Sequence, residues 1–135
     1  MGYTENLIDF IGKSTDCYHA VKTAKDTLDE NGFTELFEGD KWDVQNDGKY
    51  YVIRNSSSII AFEMPKKDFG AFMICASHTD SPSFKLKPDF EINADGCIKL
   101  SVEGYGGMIM SSWLDRPLSI SGRIVTAKNG KVETK

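Results

Sequence analysis

Ala71-Phe72-Met73-Ile74-Cys75-Ala76-Ser77-His78-Thr79-Asp80-Ser81-Pro82 is the stretch on which the fold reading turns. Its first six residues are uninterrupted and apolar, with no alternation of polar side chains. That pattern predicts a strand buried on both faces, as in the interior of an α/β sheet. The chain then turns polar at once, at Ser77. A doubly buried strand needs cover above and below. The question for the rest of the sequence is where that cover comes from.

Upstream, Thr4 is placed to cap a short helix with Leu7, Ile8 and Ile11 on one face. A second helix fits residues 16–31, with Ser14, Thr15 or Asp16 as its cap and Val21, Ala24 and Leu28 at helical spacing. Asn31-Gly32 gives a left-handed stop, with Phe33 packing back. Lys22, Lys25, Asp26, Asp29 and Glu30 read as its solvated outer face. Tyr50–Ile53 and Ile59–Phe62 read as strands joined by a turn at Asn55–Ser58. Downstream, strands fit 90–93, 98–102 and 118–125, with a hairpin turn at Asp95-Gly96. Lys128-Asn129-Gly130-Lys131 reads as a final turn whose return strand has barely begun. No helical pattern occurs in the 104 residues after Asn31. The predicted class is α/β (α+β within this chain): two N-terminal helices, then a mixed, mostly β region.

The length of 135 residues is that of one domain, and 40% of them are apolar, about 54 side chains for a core. A folded chain of this size buries roughly two-thirds of the surface it exposes when unfolded. Sixteen basic against 20 acidic residues give a net charge of −4. Residues 1–67 hold 8 basic and 12 acidic side chains and residues 68–135 hold 8 of each, so no basic stripe for nucleic acid is formed. No apolar run approaches the roughly 18 residues of a membrane helix. The N-terminus has no basic leader region. Cys17, Cys75 and Cys97 form no CxxC and are expected as buried free thiols in a reducing, cytoplasmic compartment.

Three residues can carry chemistry. His78 and Asp80 are two apart, so in an extended chain they point to the same side, at the end of a strand where open α/β sheets place their sites. An imidazole and a carboxylate on one rim suit metal binding with proton chemistry. The same spacing also suits a structural histidine satisfied by a nearby carboxylate. Asp115 lies among Trp113, Leu114 and Leu118, an apolar setting that calls for a partner, either Arg116 or a metal. His19, near the start of the second helix, reads as a capping or packing residue. Gly104 to Gly107 has no nucleotide-loop spacing.

Four segments together resemble the aspartyl aminopeptidase family of zinc metallopeptidases. Ser14-Thr15-Asp16-Cys17-Tyr18-His19-Ala20-Val21 is similar to the family's Ser-x-x-x-Tyr/Phe-His-Ala-Val helix start, and Gly48–Asn55 to its first strand. Ser77–Pro82 with Lys85-Leu86-Lys87-Pro88 resembles His-Thr-Asp-Ser-Pro then Leu-Lys-Pro. Tyr105-Gly106-Gly107, Trp113-Leu114-Asp115-Arg116, Leu118-Ser119 and Gly122-Arg123 resemble Tyr-Gly-Gly … Trp-Phe-Asp-Arg-Asp-Leu-Ser … Gly-Arg. Pro117 stands where the family has its second Asp. The order and gaps agree over nearly all of the chain.

The resemblance implies an α/β/α sandwich of which residues 1–135 are the first part, ending where the family inserts a dimerisation domain. It implies a two-zinc site in which His78 binds one metal, Asp115 bridges both, and Asp80 serves catalysis by orienting His78. It implies a peptide substrate with an acidic N-terminus, removal of aspartate or glutamate by metal-activated water, and a homo-oligomer. The family's general base and remaining ligands lie further along than residue 135. The chain alone is therefore expected to be inactive, with exposed apolar surface that favours association. The competing expectations are a non-enzymatic interaction module pairing through an open sheet edge, and a plain α+β domain in which His78 and Asp115 are structural.

Overall fold

In the computed structural model, which describes residues 2–135, helix α1 spans Tyr3–Lys13. Gly2 is its N-cap, and the Gly2 N–H donates to Glu5 Oε2 at 2.6 Å. Thr4 therefore lies inside the first turn and is not the cap. Leu7, Ile8 and Ile11 share a face, but all three are exposed.

Helix α2 spans Cys17–Glu30. Asp16 caps it: Oδ1 accepts the N–H of Tyr18 at 2.8 Å and of His19 at 3.0 Å. The ring Nδ1 of His19 lies 2.8 Å from Asp16 Oδ2, so His19 does belong to the cap. Burial pushes the Asp16 carboxyl up, but hydrogen bonds from the His19 N–H, the Ser121 hydroxyl and the His19 ring outweigh it and hold the carboxyl below its ordinary value. At the other end Gly32 takes the left-handed conformation (φ 79°), and the Phe33 N–H returns to the Leu28 carbonyl at 3.0 Å.

The chain divides into two compact units, residues up to 80 with 121–135, and residues 81–120. In the first, β1 (Thr34–Glu35) pairs parallel with β2 (Lys49–Arg54), and β2 pairs antiparallel with β3 (Ser58–Glu63). Register runs from Lys49 opposite Glu63 to Arg54 opposite Ser58. The turn between β2 and β3 places Asn55 (φ 52°) and Ser56 (φ 56°) in the left-handed region. Tyr50, Tyr51 and Val52 of β2 are buried, as is Val21 of α2. The Tyr50 ring lies so close to Gly48 that a Cβ there would come within 2.5 Å of it.

Asp29 is exposed as expected, but Lys25 is half-buried and leans towards the sheet. Lys25 Nζ reaches Tyr51 Oη at 2.5 Å, Asp29 Oδ2 at 3.0 Å and Glu35 Oε2 at 3.0 Å. Tyr51 Oη donates to Asp29 Oδ1 at 2.7 Å. A buried tyrosine hydroxyl needs a partner, and the long lysine stem bends over the ring to supply one. Lys22 and Asp26 pair on the exposed side.

The same unit holds the antiparallel hairpin of β4 (Val125–Lys128) and β5 (Lys131–Thr134), turning at Asn129 (φ 53°) and Gly130 (φ 74°). The return strand is thus fully formed, and the backbones of Ile124 and Lys135 bond each other beyond it. The strand predicted over 118–125 is present only from Val125.

In the second unit β6 (Ser83–Ala94) and β7 (Cys97–Tyr105) form a hairpin through Asp95 (φ 55°) and Gly96 (φ 74°), the left-handed pair that Asp-Gly predicts. Its ladder shifts between Leu86 and Glu91, where Pro88 has no N–H to offer. One 3-10 turn, Met110–Trp113, follows, and the Trp113 ring meets Phe84 edge-on at 5.6 Å.

The largest departure from expectation is the opening stretch. Residues 71–76 form no strand and make no ladder with any described residue. Phe72, Met73 and Ile74 are exposed, Met73 completely so. A doubly buried strand requires neighbours on both edges and both faces, and none of the described segments provides them. The core is correspondingly small. The accessible surface is 11396 Å², whereas two separately folded bodies of about 95 and 40 residues would together expose about 8,400 Å². The cysteines follow suit: Cys75 and Cys97 are exposed free thiols and Cys17 is half-buried, so none is a buried thiol. Among the described residues, no helix is long and apolar enough to cross a membrane.

Candidate functional site

His78 and Asp80 come together as their spacing predicts. His78 Nδ1 lies 2.7 Å from the Asp80 carbonyl oxygen and 3.1 Å from Asp80 Oδ1. Both oxygens only accept, a carbonyl by nature and a carboxylate when ionised, so Nδ1 must carry the proton. In the neutral ring the lone pair is then on Nε2, the arrangement a metal-binding histidine needs. The imidazole is exposed and the carboxylate half-exposed.

Thr79 sits between them and faces elsewhere. Its hydroxyl donates to the Ser57 carbonyl at 2.7 Å, tying the end of the apolar stretch to the β2–β3 turn. That turn is held in its own right: Arg123 Nη1 donates to the Asn55 carbonyl at 3.0 Å and to Asn55 Oδ1 at 3.1 Å. The same guanidinium lies 4.7 Å from the centre of the Tyr18 ring, in the first turn of α2. Sequence reading missed Thr79, Asn55 and Arg123 as supports. Their separations of 22 and 68 residues leave no local signal.

Asp115 belongs to the second unit. Its backbone is left-handed (φ 55°), a conformation aspartate tolerates better than most residues. The expected apolar enclosure is not there, because Leu114 and Leu118 are themselves exposed and the carboxylate stays hydrated. Arg116 is not its partner: Nη1 donates to the Ser112 carbonyl at 3.2 Å. Asp115 makes no hydrogen bond or ion pair with any described residue.

By donor type, His78 and Asp115 fit zinc. They do not complete a site. Among the described residues no group of three or more His, Cys, Asp or Glu side chains gathers to hold a metal ion, and a catalytic zinc normally has three protein ligands.

Residues 10–135 match the family described as Aminopeptidase I zinc metalloprotease (M18). A probable M18 family aminopeptidase 2 of Clostridium acetobutylicum is 47% identical over 128 residues, covering 90% of this chain and 29% of that protein. Among solved structures, a chain of the Ape4 and Nbr1 complex matches with a TM-score of 0.91 and 38% identity, over 96% of this chain and 26% of its own length. The mApe1 dodecamer of S. cerevisiae matches with a TM-score of 0.79 and 33% identity, over 96% of this chain and 32% of its own. The chain spans less than a third of the length of the curated relatives it matches.

Proposed function

The chain belongs to the M18 family of zinc metalloproteases, and from that premise we propose that it is the N-terminal part of an aminopeptidase that removes aspartate or glutamate from the N-terminus of peptides. His78, through Nε2, and Asp115, as the shared carboxylate, would hold the zinc of a two-metal site, and Asp80 would orient His78. The observation that carries this reading is the His78–Asp80 pair, in which Nδ1 is committed to acceptors and Nε2 is left to bind. When bound, zinc supplies Lewis acidity and a water of lowered pKa. Asp80 fixes the tautomer of His78. Asp115 brings an unpaired negative charge. The remaining ligands and the general base belong to the part of the relatives that this chain does not span, so the 135-residue chain is inactive alone. The complete enzyme is a cytoplasmic homo-oligomer; the dodecameric yeast relative supports the assembly.

Zinc titration of the purified chain tests the ligand assignment. Micromolar binding that is lost in both His78→Ala and Asp115→Ala is expected. No binding by the unaltered chain leaves both residues structural and overturns the assignment. Zinc-dependent release of aspartate by the chain itself would overturn its inactivity. A second reading, an interaction module, is favoured by the unpaired stretch 71–76. Sedimentation as a clean monomer that ignores a full-length relative would remove it.

A further inference from the structure

We infer that Thr79 is a positioning residue for the His78–Asp80 pair, and that the β2–β3 turn is the seat on which it acts. Residues 71–76 have no ladder, so sheet pairing does not determine how the chain is rolled about its axis when it reaches Ser77. The chain bends at Thr79, and the His78 ring meets both the Asp80 carbonyl and its carboxylate across the bend. Anchoring Thr79 at the apex therefore fixes how His78 and Asp80 are presented to each other. Thr79 is half-buried, and its hydroxyl is held by the Ser57 carbonyl at 2.7 Å. Its branched Cβ restricts χ1, so this single bond transmits orientation to the backbone.

The seat is itself rigid. Asn55 and Ser56 are consecutive non-glycine residues in the left-handed region, a conformation that persists only when its surroundings hold it. Ser57 N–H closes the turn on the Arg54 carbonyl at 3.2 Å. Arg123 grips Asn55 by both its carbonyl and its side chain while stacking on Tyr18. A continuous path thus runs from the capped start of α2 through Arg123 and the turn to Thr79. The placement of His78 depends on α2 and on a residue 45 positions downstream, not on its own strand.

The value of this positioning to catalysis rests on the proposed ligand role of His78; the positioning itself does not. The test is the tautomer of His78, read from imidazole nitrogen chemical shifts of the isotopically labelled chain at about pH 8.5. His19 is the other histidine and serves as an internal control. In the unaltered chain His78 is expected as the Nδ1–H form. Thr79→Val keeps the shape and removes the hydroxyl; its His78 shifts should move towards a mixture of tautomers. Thr79→Ser should restore the original shifts. Arg123→Met frees Asn55 without touching residues 77–80 and should move them in the same direction. Amide exchange of β2 and β3 should stay as in the unaltered chain.

Where zinc is bound, Thr79→Val should weaken it about tenfold, with Thr79→Ser near the original affinity. Unchanged His78 shifts in both Thr79→Val and Arg123→Met overturn the inference. So does failure of Thr79→Ser to restore them. If the shifts behave as expected while no variant binds zinc, the positioning stands and the ligand assignment falls.

Discussion

Replacing Tyr51 by Phe should cost about 1–2 kcal/mol of stability. Tyr51 is fully buried, and its hydroxyl accepts from Lys25 Nζ at 2.5 Å and donates to Asp29 Oδ1 at 2.7 Å. Phe retains the ring, so no cavity opens, and the loss is confined to two hydrogen bonds with charged groups, each worth about 1.5–3 kcal/mol. Two features reduce that sum. Lys25 remains joined to Asp29 and Glu35 at 3.0 Å each, and the three side chains keep 34%, 46% and 26% of their exposure, so water takes over much of what the hydroxyl did. Tyr51→Ala, which removes the ring as well, should cost about 3–5 kcal/mol.

Urea unfolding followed by helical circular dichroism measures both. The pH dependence has a definite sign. Hydrogen bonds that the Lys25 ammonium donates to Tyr51, then to Glu35 and Asp29, hold it above the ordinary lysine value. Its contribution is therefore fully present below about pH 10.4 and is lost only as the pH rises through the higher folded value. The difference between the original chain and Tyr51→Phe should accordingly be flat from about pH 6 to 9. A loss below about 0.5 kcal/mol at an unchanged denaturant slope would refute the view that this hydroxyl joins α2 to the sheet.

Asp16→Ala should cost about 1 kcal/mol through loss of the α2 cap. The folded Asp16 carboxyl lies below its ordinary value, so its contribution is present above about pH 4 and is lost as the pH falls through the folded value; thermal unfolding at neutral and strongly acidic pH should show the two proteins converging in acid. Gly96→Ala should weaken the β6–β7 hairpin by about 1–2 kcal/mol, because Gly96 is left-handed (φ 74°). Gly107→Ala, at a position with open space around it, should leave the hairpin unchanged, and hydrogen exchange of the hairpin amides distinguishes the two.

What could be read from the chain was whatever is decided within a few residues. A cap among Ser14, Thr15 and Asp16, Asn31-Gly32 as stop and Asp95-Gly96 as hairpin turn depend only on local backbone chemistry, and all three are found, the cap being Asp16. The His78–Asp80 pair belongs to this class, since a spacing of two keeps the groups within reach of each other, here across the bend at Thr79. Stretch 71–76 belongs to another. Its apolar pattern states a requirement for neighbours, but whether they are present is not a property of those six residues. Lys25 was misread because helical spacing says which way a side chain starts, not how far a flexible lysine bends towards a buried hydroxyl. Asp115 was misread because sequence neighbours were taken for spatial ones; Leu114 and Leu118 are exposed and enclose nothing. The support of Thr79 by Ser57, and of Asn55 by Arg123, has no local signature at all.

The bare stretch has a consequence for handling the molecule. Phe72-Met73-Ile74-Cys75-Ala76 is an exposed, uncharged window without proline, and its backbone belongs to no sheet. Such a window is a template for cross-β stacking between molecules. The flanking sequence supplies gatekeepers, Lys66, Lys67 and Asp68 on one side and Asp80 on the other, whose charges resist in-register stacking of identical chains. Solubility of the isolated chain is therefore governed by ionic strength: salt that screens these four charges removes the barrier to fibril nucleation before it loosens the fold.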